Sequence, residues 1–150
     1  MKKITLLPLC LILSSTLTEA AVTCHISSQV LSFGTIEPLS SAELTSIGEI
    51  NVSCTGGPVS YSIHLSAGNG SIAERVMRNG SKSLNYNLYT SNSYFNVLGD
   101  GTEGSFVING SSTNMTSDSS YSVFGKISNI GLSSIEPGIY TDSVLVTIFY

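Results

Sequence analysis

Large apolar residues recur at every second position along much of the chain. In Pro58-Val59-Ser60-Tyr61-Ser62-Ile63-His64-Leu65-Ser66, the residues Val59, Tyr61, Ile63 and Leu65 alternate with Ser and His. That period predicts a half-buried strand with His64 facing outward. Similar short runs lie at Val30 to Ile36, Glu49 to Cys54, Leu84 to Thr90, Ser105 to Asn109, Tyr121 to Ile127 and Tyr140 to Tyr150. Turn signals separate them: Gly56-Gly57-Pro58, Gly68-Asn69-Gly70, Asn79-Gly80, Gly99-Asp100-Gly101 and Glu136-Pro137-Gly138. Strands this short and this evenly spaced predict an all-β, antiparallel β-sandwich.

One segment carries a different signal. Ser71-Ile72-Ala73-Glu74 has the form of a capping box, Ile72 and Val76 are four apart, and Asn79-Gly80 could end two helical turns. Local propensity therefore favours a short helix over Ile72 to Arg78, though so short a helix depends on packing for its stability.

The last run is the most apolar. Tyr140, Val144, Val146, Ile148 and Tyr150 share one face, and Leu145 and Phe149 make the other partly apolar too. A long apolar strand left as an open sheet edge invites aggregation, so a covering partner is expected.

The first twenty residues read as an export signal. Met1-Lys2-Lys3 is basic, Ile4 to Leu13 is apolar, and Thr18-Glu19-Ala20 places small residues at a cleavage site after Ala20. The apolar run is roughly half of what spans a bilayer. Cys10 lies inside it, behind a bulky Leu9 and with too little apolar sequence upstream for a lipoprotein signal. The expected organisation is thus a cleaved signal peptide, residues 1–20, and a single domain, residues 21–150. Export leaves Cys24 and Cys54, an even pair that reads as a disulfide.

Composition then narrows the function classes. The chain has 150 residues, 28 of them Ser and 13 Thr, with no Trp. Beyond residue 20 only Arg75, Arg78, Lys82 and Lys126 oppose nine acids, and no basic cluster exists to follow a phosphate backbone, so no nucleic acid partner is expected. The acids are scattered, no Gly-x-Ser-x-Gly elbow is present, and His25 and His64 are the only imidazoles, so neither catalysis nor a metal or other cofactor is expected. Asp100-Gly101-Thr102-Glu103-Gly104 resembles the start of a calcium loop but lacks the closing acid. The polar tract Asn109 to Ser120 and the pair Tyr94-Phe95 read as loop features that could touch a binding partner.

Several segments together resemble the spore coat protein U domain family. They are Cys24 followed by Leu31-Ser32-Phe33-Gly34-Thr35, Ile50-Asn51-Val52-Ser53-Cys54-Thr55, Arg75-Val76-Met77, Leu84-Asn85-Tyr86-Asn87-Leu88-Tyr89, Gly99-Asp100-Gly101-Thr102, Val123-Phe124-Gly125-Lys126-Ile127 and Gly138-x-Tyr140-x-Asp142. Their order and spacing match along the whole chain after the signal, with Leu98 where the family often has Trp. The family includes subunits of archaic chaperone–usher pili. The resemblance implies an incomplete immunoglobulin-like antiparallel β-sandwich lacking its final strand and completed by a donor strand. It implies that Cys24–Cys54 ties the first strand to the second and that Arg75 to Met77 is extended.

It also implies the partners: a periplasmic pilus chaperone, an outer-membrane usher, and a neighbouring pilin subunit that supplies the donor strand. The groove would be lined by Tyr140, Val144, Val146, Ile148 and Tyr150. The resulting expectation is a structural, non-enzymatic subunit of a cell-surface or extracellular fibre, exported through the periplasm, with a role in adhesion or biofilm formation. Only Ala21-Val22-Thr23 separate the expected cleavage site from Cys24, about 10 Å of extended chain. That stub is too short for a donor segment and suggests the distal tip. The alternative is a monomeric secreted adhesin or coat component that binds surfaces through its loops.

Overall fold

The computed structural model describes residues 21–35, 43–127 and 135–150. The expected export signal lies outside them. Eight strands form: β1 Thr23–Ser28, β2 Leu44–Thr55, β3 Val59–Leu65, β4 Arg75–Asn79, β5 Lys82–Tyr89, β6 Ile108–Ser112, β7 Thr116–Ile127 and β8 Val146–Phe149. Among the described residues there is no helix. A five-stranded sheet runs β1-β2-β7-β5-β4 and a three-stranded sheet runs β6-β3-β8, with every pairing between strands antiparallel.

The two-residue period produces this sandwich directly. On β2, Ile50, Val52 and Cys54 are buried while Glu49, Asn51 and Ser53 alternate with them towards solvent. On β3, Tyr61, Ile63 and Leu65 are buried. These faces meet Leu84, Tyr86, Leu88, Leu98, Val123 and Ile127 in one core. Cys24 pairs with Cys54 in the β1–β2 register, and their sulfurs are bonded at 2.03 Å. Closing a loop of this length constrains the unfolded chain by roughly 3–4 kcal/mol in the entropy model. Tyr61 and Tyr121 share a hydrogen bond of 2.8 Å between hydroxyls, with their rings edge to face.

Four segments differ from their sequence pattern, and the first is the run read at Val30 to Ile36, whose described residues, 30–35, form no strand. Ile72 to Arg78 is not helical. Ser71 Oγ does accept from Glu74 N at 3.0 Å, as a capping box would, but the turn delivers the chain into β4. Asn79 then pairs with Lys82 across a tight turn that has Gly80 at φ 58°, so Asn79-Gly80 makes a hairpin. The tract Asn109 to Ser120 is mostly ladder, because β6 pairs with β3 and the start of β7 pairs with β2. Serine alternating on an outward sheet face looks like a loop only when its partner strands are unknown. Finally, Tyr140 to Tyr150 is not one continuous strand: β8 covers Val146–Phe149, and Thr141 makes a separate bridge to Arg78 of β4.

Candidate functional site: an open groove between two sheet edges

β1 is an edge strand of the five-stranded sheet, and β8 is an edge strand of the smaller one. Beside them a cavity of about 410 Å³ opens between residues 28–33, which continue from β1, and the C-terminal segment from Tyr140 to Val146. Protein interiors rarely hold voids larger than a water, and a cavity of about 150 Å³ already admits benzene. This cavity has room for several side chains. Its floor is the core itself: Ile50, Leu65, Leu88 and Val123 all line it, and each is at most 6% exposed.

The first wall is built on two glycines. Leu31 lies over Gly48 and Gly125, where a β-carbon on Gly125 would stand 2.9 Å from both the Leu31 and the Phe33 side chains. Phe33 meets Tyr86 edge to face at 6.0 Å. Beyond β1 this wall is held by Gln29 N donating to the Glu49 carbonyl at 3.0 Å and by Ser46 Oγ donating to the Ser32 carbonyl at 2.6 Å. Val30 is 94% exposed.

The second wall has the parity read from the sequence. Tyr140, Val144, Val146 and Ile148 pack towards the core, whereas Ile139, Leu145 and Phe149 are exposed. Of the five residues expected along a groove, Tyr140, Val144 and Val146 line the cavity. Ile148 packs on the core further along β8, Tyr150 is exposed, and neither is part of the lining.

Polar anchors fix this wall; Arg75, Tyr86, Asn87 and Asp142 stand in the segments that carry the family resemblance, but the sequence reading gave them no anchoring role. Asp142 is on the same face as Tyr140 and Val144; its Oδ2 accepts from the Tyr86 hydroxyl at 2.7 Å, and its Oδ1 from Asn69 N at 2.9 Å. Burial, and then this hydrogen bond to a carboxylate, push the Tyr86 hydroxyl well above the usual phenol range. Arg75 is fully buried. Its Nε and Nη2 donate to the Ser66 carbonyl at 3.1 and 2.9 Å, and its Nη1 donates to Asn87 Oδ1 at 2.7 Å. Burial lowers its pKa from the ordinary arginine value, opposed by the nearby Tyr86, Asp142 and Asp100. The two-residue period places Asp142 inward, so its parity was a usable signal; nothing local marks Arg75 as buried.

Other candidate features are dispersed. Among the described residues no three His, Cys, Asp or Glu side chains converge. Asp100 Oδ1 accepts from the Thr102 amide and hydroxyl at 2.9 and 2.6 Å, which closes a turn. His64 meets Phe149 edge to face at 4.7 Å. Tyr94, at φ 55°, packs on Tyr89, and Phe95 beside it is 86% exposed.

The comparisons with known proteins agree with this architecture. A search of curated proteins found no match. Among solved structures, the chain is similar to one in the crystal structure of the CsuC-CsuE chaperone-tip adhesion subunit pre-assembly complex, from archaic chaperone-usher Csu pili of Acinetobacter baumannii. The TM-score is 0.58 at 24% identity, over 87% of this chain. The match spans 40% of that longer chain and shows a shared immunoglobulin-like fold. The Spore Coat Protein U domain matches residues 11–147, nearly the whole chain, and the protein belongs to that family.

Proposed function

We propose that this protein is a structural subunit of a chaperone–usher pilus, with the cavity between residues 28–33 and 140–146 as its acceptor groove for a donor strand. One observation carries the reading: a cavity of about 410 Å³ floored by core side chains opens between the segment that continues from β1 and the segment that leads into β8, and both strands are edges of their sheets. A strand inserted there could pair by its backbone along an edge and fill the floor with alternate side chains. The donor would come first from a periplasmic chaperone and, after passage through an outer-membrane usher, from a neighbouring subunit. The site is then a place for assembly rather than catalysis. The finer parts of the proposal are delivery to the cell surface, a distal tip position, and a role in adhesion or biofilm formation.

Family membership and the similarity to a chaperone-bound subunit support this reading. The test is to produce the chain together with a chaperone of this class and run the product on gels with and without boiling. A complex that resists detergent until heated is the expected result. A chain that purifies alone as a stable monomer under the same conditions would instead support the secreted coat component. Labelling surface fibres with antibody would separate tip from shaft.

A further inference from the structure

The register of β8 shows where its edge changes partner. β3 and β8 pair Ser62 with Phe149, Ile63 with Ile148, His64 with Thr147 and Leu65 with Val146. The next pair is Ser66 with Leu145, and Ser66 N donates to the Leu145 carbonyl at 2.9 Å. In an antiparallel ladder such a pair exchanges two bonds, so Leu145 N should return one to the Ser66 carbonyl. It does not. Leu145 N donates to Ser66 Oγ at 2.8 Å, and the Ser66 carbonyl is held by Nε and Nη2 of Arg75. Four residues back, Thr141 exchanges both bonds with Arg78 of β4, at 2.8 and 3.0 Å. Odd-numbered residues of an extended segment present their backbone groups to one edge, so that edge leaves β3 at Leu145 and joins β4 at Thr141. Arg75, the first residue of β4, occupies the changeover.

We propose that Arg75 is a positioning residue that ends the β3–β8 ladder and hands the C-terminal segment to β4, which fixes that segment as a wall of the groove. This rests on the groove reading for its purpose but not for its geometry. By taking the Ser66 carbonyl, the guanidinium leaves Leu145 only the hydroxyl. The segment from Tyr140 to Val144 is then free to cross to Arg78. The even-numbered backbone groups, including those of Val146 and Ile148, point to the opposite edge, where a donor would add.

Nuclear magnetic resonance of the full, disulfide-bonded chain tests the geometry without a ligand. The wild type should show a coupling across the hydrogen bond from Ser66 N to the Leu145 carbonyl and none from Leu145 N to the Ser66 carbonyl. In Arg75→Met the missing coupling should appear. That variant leaves Asn87 Oδ1 its bond from Leu88 N at 2.8 Å and frees the Ser66 carbonyl, which Leu145 N is then expected to take. Ser66→Ala should speed Leu145 amide exchange about fivefold in the wild-type background and leave it unchanged in the Arg75→Met background. A Leu145-to-Ser66 carbonyl coupling in the wild type, or equal effects of Ser66→Ala in both backgrounds, would overturn the proposal. A synthetic peptide of alternating Val and Thr separates the two readings. Arg75→Met should bind it at least fivefold more weakly than wild type, and equal binding would overturn the wall-fixing role. A wild type that binds no such peptide counts against the groove, while the couplings still decide the role of Arg75.

Discussion

The Tyr86 hydroxyl donates to Asp142 Oδ2 at 2.7 Å, joining the inward face of β5 to the C-terminal wall of the groove. The same carboxylate accepts from the amides of Asn69 and Ser143 at 2.9 and 2.8 Å. A hydrogen bond to a charged group contributes about 1.5–3 kcal/mol, and a buried donor left without a partner costs a similar amount. Asp142→Ala removes all three acceptor contacts, so unfolding in urea should show a loss of about 2–4 kcal/mol. Tyr86→Phe removes one and should lose about 1.5 kcal/mol. The double variant should lose less than the sum, because Tyr86 and Asp142 share a bond.

Alkaline pH should weaken the fold through two tyrosines. Burial and the Asp142 carboxylate raise the Tyr86 pKa, and burial followed by the bond to Tyr61 raises that of Tyr121 to about 12. In each case the folded state favours the neutral phenol. The unfolded chain therefore gives up its protons first as pH passes the ordinary value near 10.0. Stability is fully present below that pH and falls above it, for Tyr121 over the window from there to about 12. Urea midpoints across this range should decline, and Tyr121→Phe should flatten the decline. A profile that is flat in the wild type would contradict the burial argument.

What the sequence revealed of this fold was its alternation, and what it concealed was partnership. The faces of β2, β3 and β7 follow from a period of two, and so does the inward set Tyr140, Val144, Val146 and Ile148. The helical signal at Ile72 to Arg78 was also physically real, since the Ser71–Glu74 bond forms. It is overridden because Ile72 and Arg75 are buried and Asn87 Nδ2 binds the Ile72 and Ala73 carbonyls, which sets the chain on the path into β4. The C-terminal run reads as one strand because its apolar pattern is continuous. Its partner change depends on a buried arginine 70 positions before Leu145, a relation that no local pattern contains.

The glycines under the first wall give a test of its placement. A β-carbon on Gly125 would meet Leu31 and Phe33 at 2.9 Å, and one on Gly48 would meet Leu31 at 3.3 Å. Overpacking of this kind costs about 1–3 kcal/mol, against a gain of about 0.4–1 kcal/mol from restricting the unfolded chain. Gly125→Ala should therefore destabilise the protein, and Gly48→Ala should do so less. Adding Leu31→Ala to Gly125→Ala should recover part of the loss. No recovery would mean that Leu31 is not what the new methyl strikes.

Charge substitutions on the two faces of the C-terminal segment should separate groove from surface. Val146 lines the cavity and pairs with Leu65, which is 2% exposed, so Val146→Asp sets a carboxylate against an apolar floor, in a lining that holds Glu49 and Asp142 and no Lys or Arg. An inserted strand would have to bury that charge unpaired, a cost of several kcal/mol that backbone pairing does not offset. Leu145 is the adjacent residue, but its side chain points away from the core and is 68% exposed. Leu145→Asp keeps the backbone bonds to Ser66 and leaves the floor unchanged. Co-purification with a chaperone should be lost in Val146→Asp and kept in Leu145→Asp, with both proteins exported to the same level. Equal capture of the two would remove the cavity as the acceptor site. Loss in both would move the contact to the exposed face, where Leu145 and Phe149 would form it.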